Sequence, residues 1–314
     1  MENQVERQFK IFAAALSPVD SMGNLQSGKL GEYCQYLLNE GGCDGIAPLG
    51  TTGEGTSLPF HTRKSIPQLF SNIGIHPGDT ILGVGCPALQ DTVELIHKSL
   101  EYGYTQVLVL PPFYYKNLAA EGLYSYFSKL VETVDNPEVR IHLYHFPQMS
   151  SVSFPPDIVK RLYMDFKPMI CGLKDSSGDI SQTKAFVEAT GGIEAGFHVY
   201  PSSEEFIPEA IEMGCAGIIS GSLNAFGSLA KKALKHDFFP NQHFRKAVRA
   251  RQLAQRYPLI PAMKTYQALR TQDSSWENLC PPLVPLSENE KRQFLSDLEQ
   301  LDILPNTLTK PIYP

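Results

Sequence analysis

The residue whose type and position best suit chemistry is Lys174. It follows the apolar run Met169–Leu173, which Pro168 precedes, and a turn-forming sequence, 175–179, comes after it. The pattern predicts a short buried strand that ends at Lys174. Burying a charged ammonium group is costly, so a buried strand end favours the neutral amine. The neutral amine is a nucleophile toward carbonyl carbon, which is the requirement for a Schiff-base enzyme.

The alternative for Lys174 is a surface lysine just past a strand end. Asp175 and Asp179 follow it closely and would pair with it there. For an isolated lysine this second interpretation is the commoner one, because charged side chains are mostly exposed. The side chains at the other strand ends therefore provide the evidence that distinguishes a catalytic lysine from a surface lysine.

A hydroxyl-rich turn follows the second predicted strand. Thr51 and Thr52 lie between glycines in the segment 50–55. The backbone N–H and side-chain hydroxyl groups of such a turn suit a carboxylate or another small anion. The alternative is an ordinary strand-to-helix turn in which a threonine caps the helix.

Tyrosines occupy the ends of the fourth and fifth predicted strands, at Tyr115 and Tyr144. Tyrosine at such a position is either a packing residue or a proton-transfer group. Taken with the hydroxyl turn and with Lys174, the two tyrosines form a coherent Schiff-base site. This combination favours the catalytic interpretation of the lysine.

Other features exclude several classes of protein. A net charge of −6 gives no electrostatic footprint for nucleic acid or an anionic membrane. The six cysteines form no Cys-x-x-Cys pair, and no Cys/His cluster has the spacing of a zinc site. We therefore expect no metal and no cofactor. The acidic, polar start of the chain and the scattered cysteines predict a reduced, cytoplasmic protein.

Short apolar runs alternate with longer amphipathic stretches along the chain. Strands buried on both faces and separated by helices are typical of a parallel sheet. The predicted strands are Ile11–Leu16, Gly45–Leu49, Thr80–Val84, Gln106–Leu110, Arg140–Phe146, Met169–Lys174, Phe197–Tyr200 and Gly217–Ser220. The helical patterns between them include Gly28–Asn39, His61–Ile73, Leu89–Glu101, Glu121–Thr133, Ser181–Thr190 and Ser203–Met213.

This alternation predicts an α/β fold, a (β/α)8 TIM barrel with a C-terminal helical extension. A dinucleotide-binding fold would need a glycine-rich turn after its first strand, and the sequence there is 17–20, Ser-Pro-Val-Asp. We predict a barrel over residues 1–226 and a helical domain over 227–314. The helical patterns of the extension are Lys231–His236, Phe244–Arg256, Ala262–Leu269 and Glu288–Leu301, and residues 305–314 form an irregular tail.

Four motifs occur in the order and spacing of a known family. They are Gly-Thr-Thr-Gly-Glu at 50–54, Tyr144 with Pro147, Gly-Leu-Lys-Asp-Ser-Ser-Gly-Asp at 172–179, and Gly-Ile-Ile-Ser at 217–220 with Asn224. From about Phe12 to Ser287 the chain resembles the dihydrodipicolinate synthase / N-acetylneuraminate lyase family. The resemblance implies a metal-free class I aldolase on a (β/α)8 barrel, commonly a homotetramer.

The resemblance also implies roles for individual residues. Lys174 is similar to the lysine that forms an imine with pyruvate, and Tyr144 to the tyrosine that carries protons at that imine. Thr51 resembles the hydroxyl that links this tyrosine to a second one, for which Tyr115 is the best match. In several members the second tyrosine enters the site of a neighbouring subunit. Thr51 and Thr52 resemble the carboxylate-binding turn.

Other positions bear on the substrate. The backbone of Ile219 corresponds to a residue that lines the pyruvate site. Ser176 and Glu204 match positions where sialic-acid lyases hold a polyol tail, and Ser202 replaces a glycine that is frequent in the family. These matches imply contacts with the part of the substrate beyond the keto group.

Two further positions depart from the pattern of the family. Dihydrodipicolinate synthases carry an arginine where this chain has Met149, and methionine cannot bind a carboxylate through two hydrogen bonds. His145 replaces an asparagine, and it is either a substrate contact or a buried structural residue.

The function predicted from these residues is a Schiff-base aldolase or lyase. It would reversibly cleave a 2-oxo-3-deoxy sugar acid or a related 2-oxo acid to pyruvate and an aldehyde. One alternative is a dihydrodipicolinate synthase with a relocated carboxylate anchor, or a 2-oxo acid dehydratase that uses the same imine. Another is a catalytically silent protein that binds a 2-oxo acid. The predicted partners are pyruvate, an aldehyde and further copies of the chain, as a homo-oligomer (dimer or tetramer).

Overall fold

A computed structural model describes residues 9–235 and 240–305 of the chain. Eight strands occur in these residues, and each pairs with its neighbours in parallel. They are β1 (Lys10–Ala13), β2 (Gly45–Ile46), β3 (Leu82–Gly83), β4 (Gln106–Val109), β5 (Arg140–His145), β6 (Ile170–Asp175), β7 (His198–Pro201) and β8 (Gly217–Ser220).

Backbone hydrogen bonds close these strands into a ring. The ladders give the orders β2-β1-β8 and β3-β4-β5-β6-β7. The Ile81 N–H donates to the Ile46 carbonyl at 3.0 Å, which joins β2 to the start of β3. The Ala216 N–H donates to the Val199 carbonyl at 3.0 Å, which joins β7 to β8. The predicted eight-stranded parallel barrel is therefore confirmed.

The helices around the barrel place one apolar face against the strands, as their sequence pattern predicts. For example, the side chains of Phe127 and Leu130, which lie on the apolar face of one of these helices, are fully buried. In chain order the helices are α1 (Ser27–Asn39), α2 (Phe60–Asn72), α3 (Leu89–Glu101), α4 (Ala120–Val134), α5 (Pro147–Ser150), α6 (Pro156–Phe166), α7 (Ile180–Thr190), α8 (Ile207–Glu212), α9 (Leu223–Leu234), α10 (Gln242–Ala254), α11 (Leu259–Thr271) and α12 (Glu288–Gln300).

The C-terminal helices match their sequence patterns closely in α10, α11 and α12. The exception is α9, which begins at Leu223 rather than at the predicted Lys231. A kink at Phe226 divides this helix. The predicted end at His236 and the predicted tail beyond Pro305 lie outside the described residues. The division into domains at 226 and 227 stays a prediction.

The second and third strands are shorter than predicted. Pro48 has no N–H to donate to a ladder, and Leu49 adopts a left-handed backbone conformation with φ 61°. Both features end the regular pairing of the second strand early. The chain leaves β2 at Ile46 and reaches the Gly-Thr-Thr-Gly-Glu turn through an irregular segment.

A fully buried ion pair connects that turn to the C-terminal helices. The ammonium group of Lys264 in α11 contacts a carboxylate oxygen of Glu54, and both side chains are 0% exposed. The other Glu54 oxygen accepts a hydrogen bond from the Cys280 N–H at 2.6 Å, and Lys264 also donates to the Asn278 carbonyl at 2.7 Å. Burial lowers the pKa of Lys264 and opposes the effect of the nearby carboxylate.

Replacing Lys264 with methionine should lower the free energy of unfolding by about 3–5 kcal/mol, because it leaves the Glu54 carboxylate buried without a cation. Urea denaturation followed by circular dichroism measures the effect. Lys291→Met is the matched control, since Lys291 pairs with Glu277 at 2.8 Å but is partly exposed. The control should lose about 0–1 kcal/mol. Equal losses in the two variants would contradict this account of the buried pair.

Candidate active site

Strand register brings the predicted lysine and tyrosine together. In the β5–β6 ladder Tyr144 is paired directly with Lys174, although the two residues are 30 apart in the chain. Both point into the barrel near the carboxyl ends of their strands. Lys174 is 3% exposed and Tyr144 is 2% exposed. Because all the strands are parallel, these two groups lie at the same rim as the turn that follows β2.

The side chains of Lys174, Tyr144 and Thr51 form a chain of hydrogen bonds. The Lys174 Nζ donates to the Tyr144 hydroxyl at 3.3 Å, and that hydroxyl donates to the Thr51 Oγ1 at 3.2 Å. The Nζ also lies 4.4 Å from the centre of the Tyr144 ring. A buried amine beside a hydroxyl relay can attack a carbonyl carbon and exchange protons with the carbonyl oxygen.

Backbone bonds hold the threonine turn closed. The Glu54 N–H donates to the Thr51 carbonyl at 3.0 Å, and the Gly55 N–H donates to the Gly50 carbonyl at 3.1 Å. A side chain at Gly55 would overlap the carbonyl group of Leu49, so only glycine fits there. Glu54 itself adopts a left-handed conformation with φ 52°. The buried ion pair to α11 therefore holds a residue of the turn that carries Thr51.

A cleft of about 480 Å³ opens above Lys174. This volume lies within the range of sites for small-molecule substrates. The structure brings eight of the predicted site residues to its walls: Thr51, Thr52, Tyr144, Met149, Lys174, Ser176, Ser202 and Ile219.

Tyr115 does not reach this cleft within the chain. It is 71% exposed, and its ring packs edge-on against Tyr114 with the ring centres 5.5 Å apart. Both tyrosines follow Pro111 and Pro112 in a segment without regular structure between β4 and α4. The loop therefore presents Tyr115 at the surface of the chain.

Glu204 lies behind the wall of the cleft. It is 1% exposed and accepts hydrogen bonds from Ser220 at 2.9 Å and from Ser222 at 2.6 Å. The Arg251 Nε is 3.9 Å from the same carboxylate. These groups surround the charge of Glu204, and its neighbour Glu205 lines the cleft instead.

His145 is a buried residue with contacts inside the protein. Its Nδ1 accepts a hydrogen bond from the Phe154 N–H at 3.2 Å, and its ring packs edge-on against Phe186. Burial lowers the pKa of the imidazole, while the charge of Asp175 opposes that effect. The side chain does not belong to the wall of the cleft formed by the described residues.

Sequence reasoning missed the part of the cleft that comes from the C-terminal helices. The α10 and α11 segments carry no motif that predicts a site, and their only signal is the break at 258–261 between them. The missed residues of the C-terminal part are Arg251, Gln255, Pro258, Leu259, Ile260, Pro261 and Leu283, and the barrel loops add Phe146, Gln148, Ser203, Glu205, Phe206 and Gly221.

Over 9–235 and 240–305, no three His, Cys, Asp or Glu side chains are grouped as ligands for a metal ion. Within the same ranges, no helix has both the length and the apolar character needed to cross a membrane.

The chain is similar to known proteins over nearly its whole length. A lyase from Chloroflexus aurantiacus described as DapA-like and uncharacterized is 33% identical, with 93% of this chain and 96% of the relative aligned. The 4-hydroxy-tetrahydrodipicolinate synthase of Bacillus subtilis is 26% identical over 93% of this chain and 98% of that enzyme. A crystal structure of dihydrodipicolinate synthase from Agrobacterium tumefaciens superposes with a TM-score of 0.84 at 26% identity, covering 93% of this chain and 99% of that one.

Residues 8–301 match the dihydrodipicolinate synthetase family. The matched range includes the barrel, the Lys174 and Tyr144 pair and the C-terminal helices α9 to α12. The chain therefore belongs to the dihydrodipicolinate synthetase family of class I aldolases and lyases.

Proposed function

We propose that the enzyme reversibly cleaves a 2-oxo acid to pyruvate and an aldehyde through an imine on Lys174. The substrate is a 2-oxo-3-deoxy sugar acid or a related 2-oxo acid. The observation that carries this proposal is the hydrogen-bonded chain from Lys174 through Tyr144 to Thr51 at the floor of a cleft. Lys174 is the nucleophile and Tyr144 the proton carrier, and the two side chains are hydrogen-bonded to each other.

In the proposed reaction the Lys174 Nζ attacks the C2 carbonyl carbon of the substrate. Tyr144 donates a proton to the departing oxygen, which leaves as water, and the imine forms. A base then removes the proton of the C4 hydroxyl, and the C3–C4 bond breaks with its electrons passing to the imine nitrogen. The aldehyde departs, C3 takes up a proton, and hydrolysis of the imine returns pyruvate and free Lys174.

The remaining groups hold the substrate in this scheme. The turn at Thr51 and Thr52 binds the carboxylate beside the keto group, and Ile219 borders the pyruvate methyl group. The hydrogen bond from Tyr144 to Thr51 orients the tyrosine hydroxyl toward Lys174. Ser176 and Ser202 bind the oxygen at C4, which becomes the carbonyl oxygen of the departing aldehyde.

We also propose a homo-oligomer in which Tyr115 of one copy extends the relay of another. The exposure of this tyrosine, at 71%, supports a role outside its own subunit. The barrel over 1–226 would carry the chemistry, with residues 227–314 as the helical domain. All the cysteines are buried free thiols, which supports the reduced environment of the cytoplasm.

A second candidate is a dihydrodipicolinate synthase with a relocated carboxylate anchor. The observation that favours it is Arg251, which lines the cleft although Met149 occupies the usual arginine position. Relative kcat/KM values for aspartate semialdehyde condensation and for cleavage of a 2-oxo-3-deoxy sugar acid distinguish the two candidates. A preference for aspartate semialdehyde would select the synthase.

Incubation with pyruvate and borohydride should label one peptide, the one that contains Lys174. Borohydride reduces the imine to a stable amine, which peptide mass spectrometry locates. Lys174→Arg should abolish both labelling and turnover, since a guanidinium does not form the imine. Labelling at another lysine, or turnover by the variant, would refute the assignment. Labelling without turnover of any substrate would instead indicate a silent binding protein.

Tyr144→Phe should lower kcat by about 10²–10⁴-fold, because it removes a proton carrier while the ring still fills its place. Tyr104→Phe is the control: Tyr104 is also fully buried, and its hydroxyl donates to the Ile75 carbonyl at 2.7 Å, outside the cleft. The control should keep nearly all of the activity. Similar kcat values for the two variants would exclude Tyr144 as the proton carrier.

Activity should survive prolonged dialysis against a strong chelator. The proposed chemistry uses an amine and hydroxyl groups and needs no Lewis acid at any step. The assay compares kcat before and after treatment, with zinc or manganese added back. A loss of activity that either metal restores would show that the mechanism is incomplete.

A further inference from the structure

We propose that the aldehyde half of the substrate has an apolar body, aliphatic or aromatic. This inference rests on the proposed function and specifies the substrate within it. It comes from one face of the cleft, which we call the apolar wall. The apolar wall consists of Phe146, Met149, Phe206, Leu259, Ile260 and Leu283.

The apolar wall begins beside the reacting groups. The ring of Phe146 stacks against that of Tyr144, with the ring centres 5.9 Å apart and an interplanar angle of 28°. On the opposite side of the cleft from Phe146, Leu259 lies close to Gly221 and to the threonine turn. A Cβ atom added to Gly221 would lie 2.8 Å from the Leu259 Cδ2 and 3.1 Å from the Thr52 Oγ1. A substrate held at the turn and at Tyr144 therefore has apolar side chains next to its departing half.

Besides the reacting lysine, the charged side chains that line the cleft in the described residues are Glu205 and Arg251, and both already have partners within the protein. Glu205 accepts a hydrogen bond from the Gln252 side chain at 2.8 Å. Arg251 donates to the Ser222 hydroxyl at 3.2 Å and lies near the buried carboxylate of Glu204. A polyol chain needs a partner for each hydroxyl that it removes from water, since an unpaired buried hydroxyl costs free energy.

The exposure of the apolar wall also supports an apolar aldehyde as the group that binds there. Met149 is 62% exposed, and the other members are partly exposed at the mouth of the cleft. Apolar surface that lines a concave site is stabilised when a ligand removes it from water. Methionine adapts its flexible side chain to ligands of different shape. The apolar wall therefore suits an alkyl or aryl group attached to the aldehyde carbon.

The reaction with such a partner stays balanced. The C3 atom of the pyruvate enamine forms a bond to the aldehyde carbon, and the aldehyde oxygen takes up one proton. Hydrolysis of the imine then releases a 4-hydroxy-2-oxo acid with an apolar tail. The reverse direction gives pyruvate and the apolar aldehyde.

The test measures kcat/KM for condensation of pyruvate with hexanal, benzaldehyde, D-glyceraldehyde and aspartate semialdehyde. We expect the better apolar aldehyde to exceed D-glyceraldehyde by about 10-fold or more, the scale on which a hydrophobic pocket discriminates. Met149→Gln should reduce this ratio by about 3- to 10-fold. Met164→Gln is the matched control, because Met164 is 53% exposed on α6, away from the cleft. It should leave the ratio unchanged.

Leu283→Ser and Val284→Ser form a second matched pair. The residues are adjacent, but only Leu283 belongs to the apolar wall, and Val284 is 71% exposed. Leu283→Ser should lower the ratio while Val284→Ser leaves it unchanged. Circular dichroism verifies that each variant is folded before its ratio is compared.

Borohydride trapping of pyruvate on the same preparations separates the two proposals. Trapping at Lys174 with faster turnover of D-glyceraldehyde would overturn the apolar substrate and leave the imine mechanism intact. Faster turnover of aspartate semialdehyde would also overturn it, in favour of recognition by Arg251. Absence of trapping would refute the proposed function itself. Trapping together with the expected ratios supports both.

Discussion

The ion pair between Glu54 and Lys264 determines how the rest of the site is arranged. It places opposite charges together in a fully buried position, where either charge alone would be strongly unfavourable. One partner belongs to the turn after β2, and the other to a helix of the C-terminal extension. The pair can form only when both parts have folded and docked. The position of the Thr51 turn is thereby coupled to the packing of α11 against the barrel.

This coupling makes the cleft a product of two parts of the chain. The barrel supplies Lys174, Tyr144 and the threonine turn, which act on the keto group in the proposed reaction. The start of α11 supplies Leu259 and Ile260, which line the cleft and would border the departing half of the proposed substrate. In the proposed function the imine-forming groups thus come from the barrel, and the helical extension completes the wall around the departing half. On this proposal, substitutions at Leu259 or Ile260 would alter the aldehyde that is accepted.

Much of the barrel was predictable because its elements are encoded locally. Apolar runs marked all eight strands, and the amphipathic patterns located most helices to within a few residues. The short β2 was not anticipated, since its early end depends on Pro48 and on the left-handed conformation of Leu49. Helix α9 was recognised only in its last turn. Its first half packs at the C-terminal end of the barrel, and Asn224 there binds backbone atoms of the β1 and β8 segments, a long-range relationship.

By itself the sequence determined the chemical groups: a lysine at the end of a buried strand, a tyrosine on the preceding strand and a hydroxyl turn between glycines. These follow from local pattern and from motifs whose spacing is read directly. Only the tertiary structure decided which groups face the cleft. The β5–β6 register joined Tyr144 to Lys174, the loop after β4 left Tyr115 at the surface, and the bonds to Ser220 and Ser222 turned Glu204 behind the wall. The physical reason is that orientation depends on contacts between residues distant in the chain, and no local pattern encodes those contacts.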